Sequence, residues 1–263
     1  MKLQDGIFFA LLALPGGVTQ AAAFYFSTGN PDGQMAAASR APGALVEIEA
    51  ADDFVLTTDT DIQSATFTGL LPSGAPASSI TQVAVEIYRV FPQDSGPASG
   101  AVPTRTNSPS DVAYTARDSA DNSLNFSFSV LNANFSASNS VLNGINPIPN
   151  QRTAGEGGVS GEEGVASVTF PTPIVLPPGH YFFVAQLNSS SGNFYWLSAP
   201  KPIVAPGAPF ASDLQAWIRN ANLDPDWLRI GTDIVGGASP PQFNLAFSIS
   251  GNEDHIFASG FGG

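Results

Sequence analysis

The sequence predicts an all-β fold, an antiparallel two-sheet sandwich of jelly-roll type with one short helix near 212–222. Three observations predict it. Short runs alternate apolar and polar side chains, the period of a half-buried strand. Gly, Pro, Asn, Asp and Ser punctuate those runs at the short intervals that turns between strands require. Only one segment carries the 3.6-residue period of a helix.

The first 23 residues read as a secretory leader. Lys2 is the positive end, Ile7 to Leu14 is an eight-residue apolar run, Pro15-Gly16-Gly17 breaks it, and Ala21-Ala22-Ala23 offers small residues for cleavage. Such a run is far short of the ~20 residues of a spanning helix. No other segment reads as transmembrane. Residues 24–251 are expected to form a single domain, followed by a tail over 252–263.

Within the domain, "ALVEIEA" places Val46 and Ile48 on one face and Glu47 and Glu49 on the other, and "DFVL" follows. "SATFTGLL" puts Ala65, Phe67, Gly69 and Leu71 on one side. "ITQVAVEIYRVF" sets Val83, Val85 and Ile87 against Ala84, Glu86, Tyr88 and Val90, so Glu86 lies on a strand with two apolar faces. Tyr88 or an arginine is the expected partner of such an acid, because buried carboxylates are usually paired. "LNFSFSV" alternates, "VASVTF" and "TPIVLPPG" follow, and "FNLAFSIS" directs Phe243, Leu245, Phe247 and Ile249 inward. Between 176 and 202 a proline-bounded hairpin is predicted, with Tyr181, Phe183, Ala185 and Leu187 on one face and His180, Phe182, Val184 and Gln186 on the other. The stretches 92–111 and 144–164 are rich in Pro, Ser and Gly and read as long loops. In "SDLQAWIRNANLDPDWL", Leu214, Trp217, Ile218 and Ala221 fall at helical spacing, with Ser212 or Asp213 as cap and Pro225 beyond the end.

Composition narrows function. Charged residues are 12% of the chain, and 22 acids against 9 bases leave a net charge of −13. Lys201 is the one lysine beyond the leader, so there is no basic cluster for a phosphate backbone or an anionic membrane. No cysteine is present, which excludes disulfides, thiolate catalysis and Cys-type zinc sites. Two histidines, His180 and His255, lie 75 positions apart without a zinc motif, and no G-x-S-x-G is present. His180 has no catalytic partner visible in the sequence.

Four aspartates, Asp52, Asp53, Asp59 and Asp61, lie within ten residues. Calcium is the cation such oxygens would suit, although the EF-hand pattern is absent and a solvated acidic edge is the plainer reading. Tyr195, Trp196, Trp217 and Trp227 are the candidate sugar-stacking rings, with burial in the core as the competing expectation. Asn125, Asn134 and Asn188 match the glycosylation acceptor pattern, which an Asn/Ser-rich chain produces by chance.

The strings "FYFSTGNPDGQMAAASR", "IEAADDFVL", "VEIYRVFP", "VPTRTNSPSDVA", "LPPGHYFFVAQ" and "DLQAWIRNANLDPDWLRIGTDIVGG" resemble a group of uncharacterised exported bacterial proteins, many of which carry a PEP-CTERM sorting tail. The resemblance implies export and a β-rich fold and brings no catalytic residues. The ending "NEDHIFASGFGG" departs from that tail, with no Pro-Glu-Pro, hydrophobic helix or basic end. The expectation is therefore a non-catalytic, secreted structural or adhesive protein of the cell surface or extracellular matrix. It would self-associate through terminal strands ("FYFSTG", "HIFASGF") or contact extracellular polysaccharide. A carbohydrate-binding module is the alternative and a glycoside hydrolase the third reading. No cofactor is expected beyond calcium.

Overall fold

The alternating runs become the strands of two stacked sheets in a computed structural model of the chain, which describes residues 21–95, 106–145, 152–201 and 214–253. In chain order the described strands are β1 (Ala22–Ser27), β2 (Met35–Ala38), β3 (Ile48–Leu56), β4 (Thr60–Leu71), β5 (Ile80–Arg89), β6 (Thr115–Asp118), β7 (Asn125–Ala137) and β8 (Asn139–Val141). They continue with β9 (Val159–Leu176), β10 (Gly179–Ser189), β11 (Tyr195–Ala199), β12 (Trp217–Asn220), β13 (Leu228–Arg229), β14 (Asn244–Leu245) and β15 (Phe247–Glu253).

The smaller sheet runs β13-β12-β3-β10-β5-β6. The larger has nine strands built around β4, which pairs along one edge with β9 and along the other with β15 and then β11. β1 adds to β15, β7 adds to β9, and β2 and β8 continue from β11. Every pairing is antiparallel except β2 with β8. The two-sheet sandwich is the class the alternation predicts.

The core lies between the sheets. Phe183 of β10 stacks on Phe247 of β15 with ring centroids 5.0 Å apart, and Trp196 of β11 meets Phe247 edge-on at 5.9 Å. The Trp196 indole N–H donates to Ala246 O at 2.8 Å, so the ring is buried without an orphaned polar atom. Register carries the sequence alternation across strands. Phe26, Ile249, Ala65, Val168 and Phe126 are successive cross-strand partners over β1, β15, β4, β9 and β7, and they form one apolar row facing inward.

Several elements differ from expectation. The expected strands "ALVEIEA" and "DFVL" merge into one strand only from Ile48 onward, as β3; residues 44–47 lie before it, and Val46 is exposed instead of sharing the inner face of Ile48. β9 is continuous over 18 residues and takes in Val159 to Gly164, which the glycines had marked as loop. The predicted helix near 212–222 is replaced at Trp217–Asn220 by β12, which adds to the edge of β3. Its apolar stripe arises because Trp217 packs on the outer side of the small sheet while Ile218 enters the main core. In this ladder Arg219 stands opposite Glu49, a long-range pairing that local periodicity does not carry. Residues 212 and 213 lie outside the described residues. A short helical segment of π type occurs instead at Ile230–Val235.

Asn252 and Glu253, expected in the tail, complete β15, and the rest of that tail lies outside the described residues. So do residues 1–20 of the expected leader. Ala22 and Ala23 sit in β1 opposite Glu253 and Asn252. The "FYFSTG" segment adds to its own sheet, with Phe26 buried against Phe54 and Phe247.

Candidate functional site

The outer face of the larger sheet presents a regular array of uncharged polar groups. Because Phe26, Ile249, Ala65, Val168 and Phe126 point inward, their chain neighbours point to solvent. Ser27, Ser248, Thr66, Ser167 and Ser127 are successive partners across β1, β15, β4, β9 and β7. Two residues along lies a second row, Tyr25, Ser250, Ser64, Thr169 and Asn125. Strand spacing makes each row about 19 Å wide and sets the rows about 7 Å apart. Thr66 and Ser248 share a hydrogen bond of 2.7 Å. None of the 22 acids stands at these ten positions. At the β1 end, Tyr25 is 55% exposed, the one large aromatic ring projecting from the two rows.

A hydroxyl both donates and accepts, and its proton rotates to suit the partner. Rows of such groups beside an exposed ring can hold another surface dense in hydroxyls without involving charge. This arrangement was missed in the sequence because it depends on register among five strands from distant parts of the chain. Only the position of Tyr25, between Phe24 and Phe26 in "FYFS", was a local signal.

The residues singled out from sequence lie elsewhere. Trp196, Trp217 and Trp227 are 0%, 1% and 1% exposed, so none offers a free face for a sugar. Trp196 fills the main core, while Trp217 and Trp227 cover the outer side of the small sheet with Ala51, Tyr88, Phe182 and Val184. Tyr195 is half-buried on the outer side of the large sheet, packed against a small cluster containing Leu70 and Leu197.

The four aspartates are not brought together at one place. Asp52 and Asp53 are buried on opposite faces of β3, where Asp52 accepts the Leu245 N–H at 2.7 Å and Asp53 accepts the Leu214 N–H at 2.9 Å. Asp59 is exposed and Asp61 half-buried. Among the described residues no three His, Cys, Asp or Glu side chains gather as metal ligands would.

His180 does have a partner. Its Nε2 lies 2.6 Å from the buried Asp53 Oδ2, and His180 itself borders a pocket of about 220 Å³ lined also by Arg89, Gln93, Pro177 and Tyr181. The 127-residue separation of the two made the pairing invisible in sequence. A second cleft, of about 360 Å³, lies between the β2–β3 and β10–β11 connections and is lined by Arg40, Gln82, Asn188 and Asn193.

The most strongly perturbed groups lie on the outer side of the small sheet. Arg219 of β12 pairs with Glu49 of β3 through Nε and Nη2, and its guanidinium lies over the Trp227 ring at 4.4 Å. Arg219 Nη2 also donates to Tyr88 Oη at 2.8 Å. Tyr88 Oη lies 2.9 Å from Glu49 and closer still to Glu86, confirming Tyr88 as the expected partner of Glu86. A phenol has one proton, so it cannot donate to both carboxylates. A protonated Glu86 that donates to Tyr88, with Tyr88 donating to Glu49, satisfies every group. Burial pushes Glu86 up to about 7, helped by the charges of Glu49 and Glu47 and opposed by Tyr88 and Arg219. Burial also raises the Tyr88 phenol far above its usual range.

No protein family, curated protein or solved structure matches the chain. Among the described residues no helix is long and apolar enough to cross a membrane.

Proposed function

We propose that the protein is a non-catalytic, exported structural or adhesive protein that holds neutral, hydroxyl-rich polysaccharide against the outer face of its larger sheet. The observation that carries this reading is the five-strand row Ser27, Ser248, Thr66, Ser167 and Ser127, flanked by the exposed ring of Tyr25. Aromatic rings stack on sugar faces, and hydroxyl rows supply donors and acceptors to sugar hydroxyls. The ten uncharged positions avoid the desolvation cost that charged groups would impose on an uncharged ligand. The leader supports export, and the acidic remainder of the surface favours solubility.

Co-sedimentation with insoluble neutral polysaccharides tests the reading. Wild type is expected to pellet with at least one of them. Tyr25→Ala and the double variant Thr66→Glu/Ser167→Glu are expected to lose about tenfold in affinity, or ~1.4 kcal/mol. Val112→Glu, at an exposed position off this face, is expected to bind as wild type. Equal binding by all four proteins overturns the assignment of the face.

The raised Glu86 beside Glu49 favours a second reading, a glycoside hydrolase using two carboxylates. Against it, Glu49 is locked by Arg219 and is only 4% exposed. Release of reducing sugar that Glu86→Gln abolishes would establish the hydrolase and displace the structural reading.

A further inference from the structure

We infer that the edge strand β7 is a pairing surface for a second copy of this chain, joined by a two-fold axis through Ser127. β7 spans thirteen residues, "NFSFSVLNANFSA", and among the described residues its one ladder partner is β9. Its other edge therefore presents backbone N–H and C=O groups to solvent. Proteins normally protect such an edge with charge, proline or shortness. β7 has no charged residue and no proline, and Val130 and Leu131 are 48% and 58% exposed. Other edge strands among the described residues are shorter: β1 has six residues, β8 three and β13 two, and the four-residue β6 carries Arg117 and Asp118.

Charge selects the occupant. Two copies that each carry −13 repel, and β7 is the long edge at which they can meet without opposing like charges. Face parity then restricts the register. A two-fold axis normal to the sheet keeps inward residues opposite inward residues only when it passes through a residue. Centred on Ser127, it sets Phe126 opposite Phe128 of the second copy on the inner side, and Asn125 opposite Ser129 on the outer side. Phe126 and Phe128 are partly buried at the edge of the core, and the second copy would cover what remains exposed. Aromatic cross-strand pairs of this kind stabilise sheets. Regular pairing of β7 with β9 extends from Asn125 to Val130, so the centre lies within the unbulged stretch. The contact is self-complementary and closes at two copies. The hydroxyl row would then run from Thr66 and Ser167 through Ser127 into the same residues of the second copy. The pairing does not depend on the polysaccharide reading; the doubled face matters only if that reading holds.

The absence of cysteine makes the test direct. Light scattering on the full chain is expected to give twice the chain mass. Ser127→Lys, at an exposed outer position, is expected to halve that mass while circular dichroism and the melting temperature stay near wild type. Under mild oxidation Ser127→Cys is expected to form a covalent dimer, because directly paired Cα atoms lie within disulfide range. Ser129→Cys is expected not to, since its own copy would lie about 13 Å away by strand rise. A monomer at high concentration overturns the proposal. So does a dimer unaffected by Ser127→Lys, or cross-linking no faster at Ser127 than at Ser129 and Ser167. Mass and cross-linking read the pairing, and sedimentation with polysaccharide reads the face, so each can fail alone.

Discussion

Arg219 and Glu49 are direct partners across the β3–β12 ladder and close a two-pronged ion pair on a sheet face sealed by Trp227. Both side chains are nearly inaccessible, at 7% and 5% exposure. Burial alone would lower the Arg219 pKa, but the hydrogen bond and charge of Glu49 outweigh it and hold the guanidinium charged. Removing one partner leaves the other charge in a poorly solvated place. Arg219→Met is expected to cost about 3–5 kcal/mol in urea denaturation. Replacing both, as Glu49→Leu/Arg219→Met, is expected to cost clearly less than the two single changes added.

Glu86 makes stability depend on pH. Its folded-state value of about 7 lies above the ordinary 4.5, so the folded chain holds this proton more tightly than the unfolded chain. The contribution is whole below about 4.5 and is lost as pH rises through about 7. Denaturation midpoints are expected to fall across that window. Glu86→Gln, which keeps a donor toward Tyr88 and cannot ionise, is expected to flatten the fall. An unchanged slope in the variant would assign the effect to another group.

Trp196 is the central ring of the core and touches Phe67, Phe183 and Phe247. Trp196→Ala is expected to cost about 3–5 kcal/mol. Trp196→Phe is expected to cost less, because Ala246 O keeps its hydrogen bond from Thr68 N–H. With all three tryptophans buried, native emission is expected at short wavelength, moving to longer wavelength on unfolding.

Gly164 lies beneath the Phe128 ring, and a methyl there would overlap that ring. Gly164→Ala is expected to destabilise by about 1–3 kcal/mol. In a double-mutant cycle, Phe128→Ala/Gly164→Ala is expected to lose less than the sum, since the small ring substitute removes the overlap. Additive losses would mean that β7 shifts to accommodate the methyl.

Much of the fold was legible because alternation is local. The inward positions of Val83, Val85, Ile87, Phe243, Leu245, Phe247 and Ile249 follow from their spacing alone. The strand at Trp217–Asn220 was not, because Leu214, Trp217 and Ile218 mimic a helical stripe while burying against two different layers. Glycine content concealed the start of β9, although Gly161 and Gly164 sit within a strand where neighbouring backbone and the Phe128 ring come close. The candidate site was least legible. Aromatic type drew attention to the tryptophans, which the core absorbs, whereas the hydroxyl rows and the His180–Asp53 dyad are products of register and long-range contact.

β1 and β15 lie side by side, with Phe24 opposite Gly251 and Ala22 opposite Glu253. The first and last described strands thus enter and leave at one corner of the sandwich. A short linker there would join them into a ring, and the ring could be reopened at a surface turn such as 190–193 without cutting a strand. The same geometry makes the domain a cassette: spliced into a host loop through that single corner, it would need no rearrangement of its sheets.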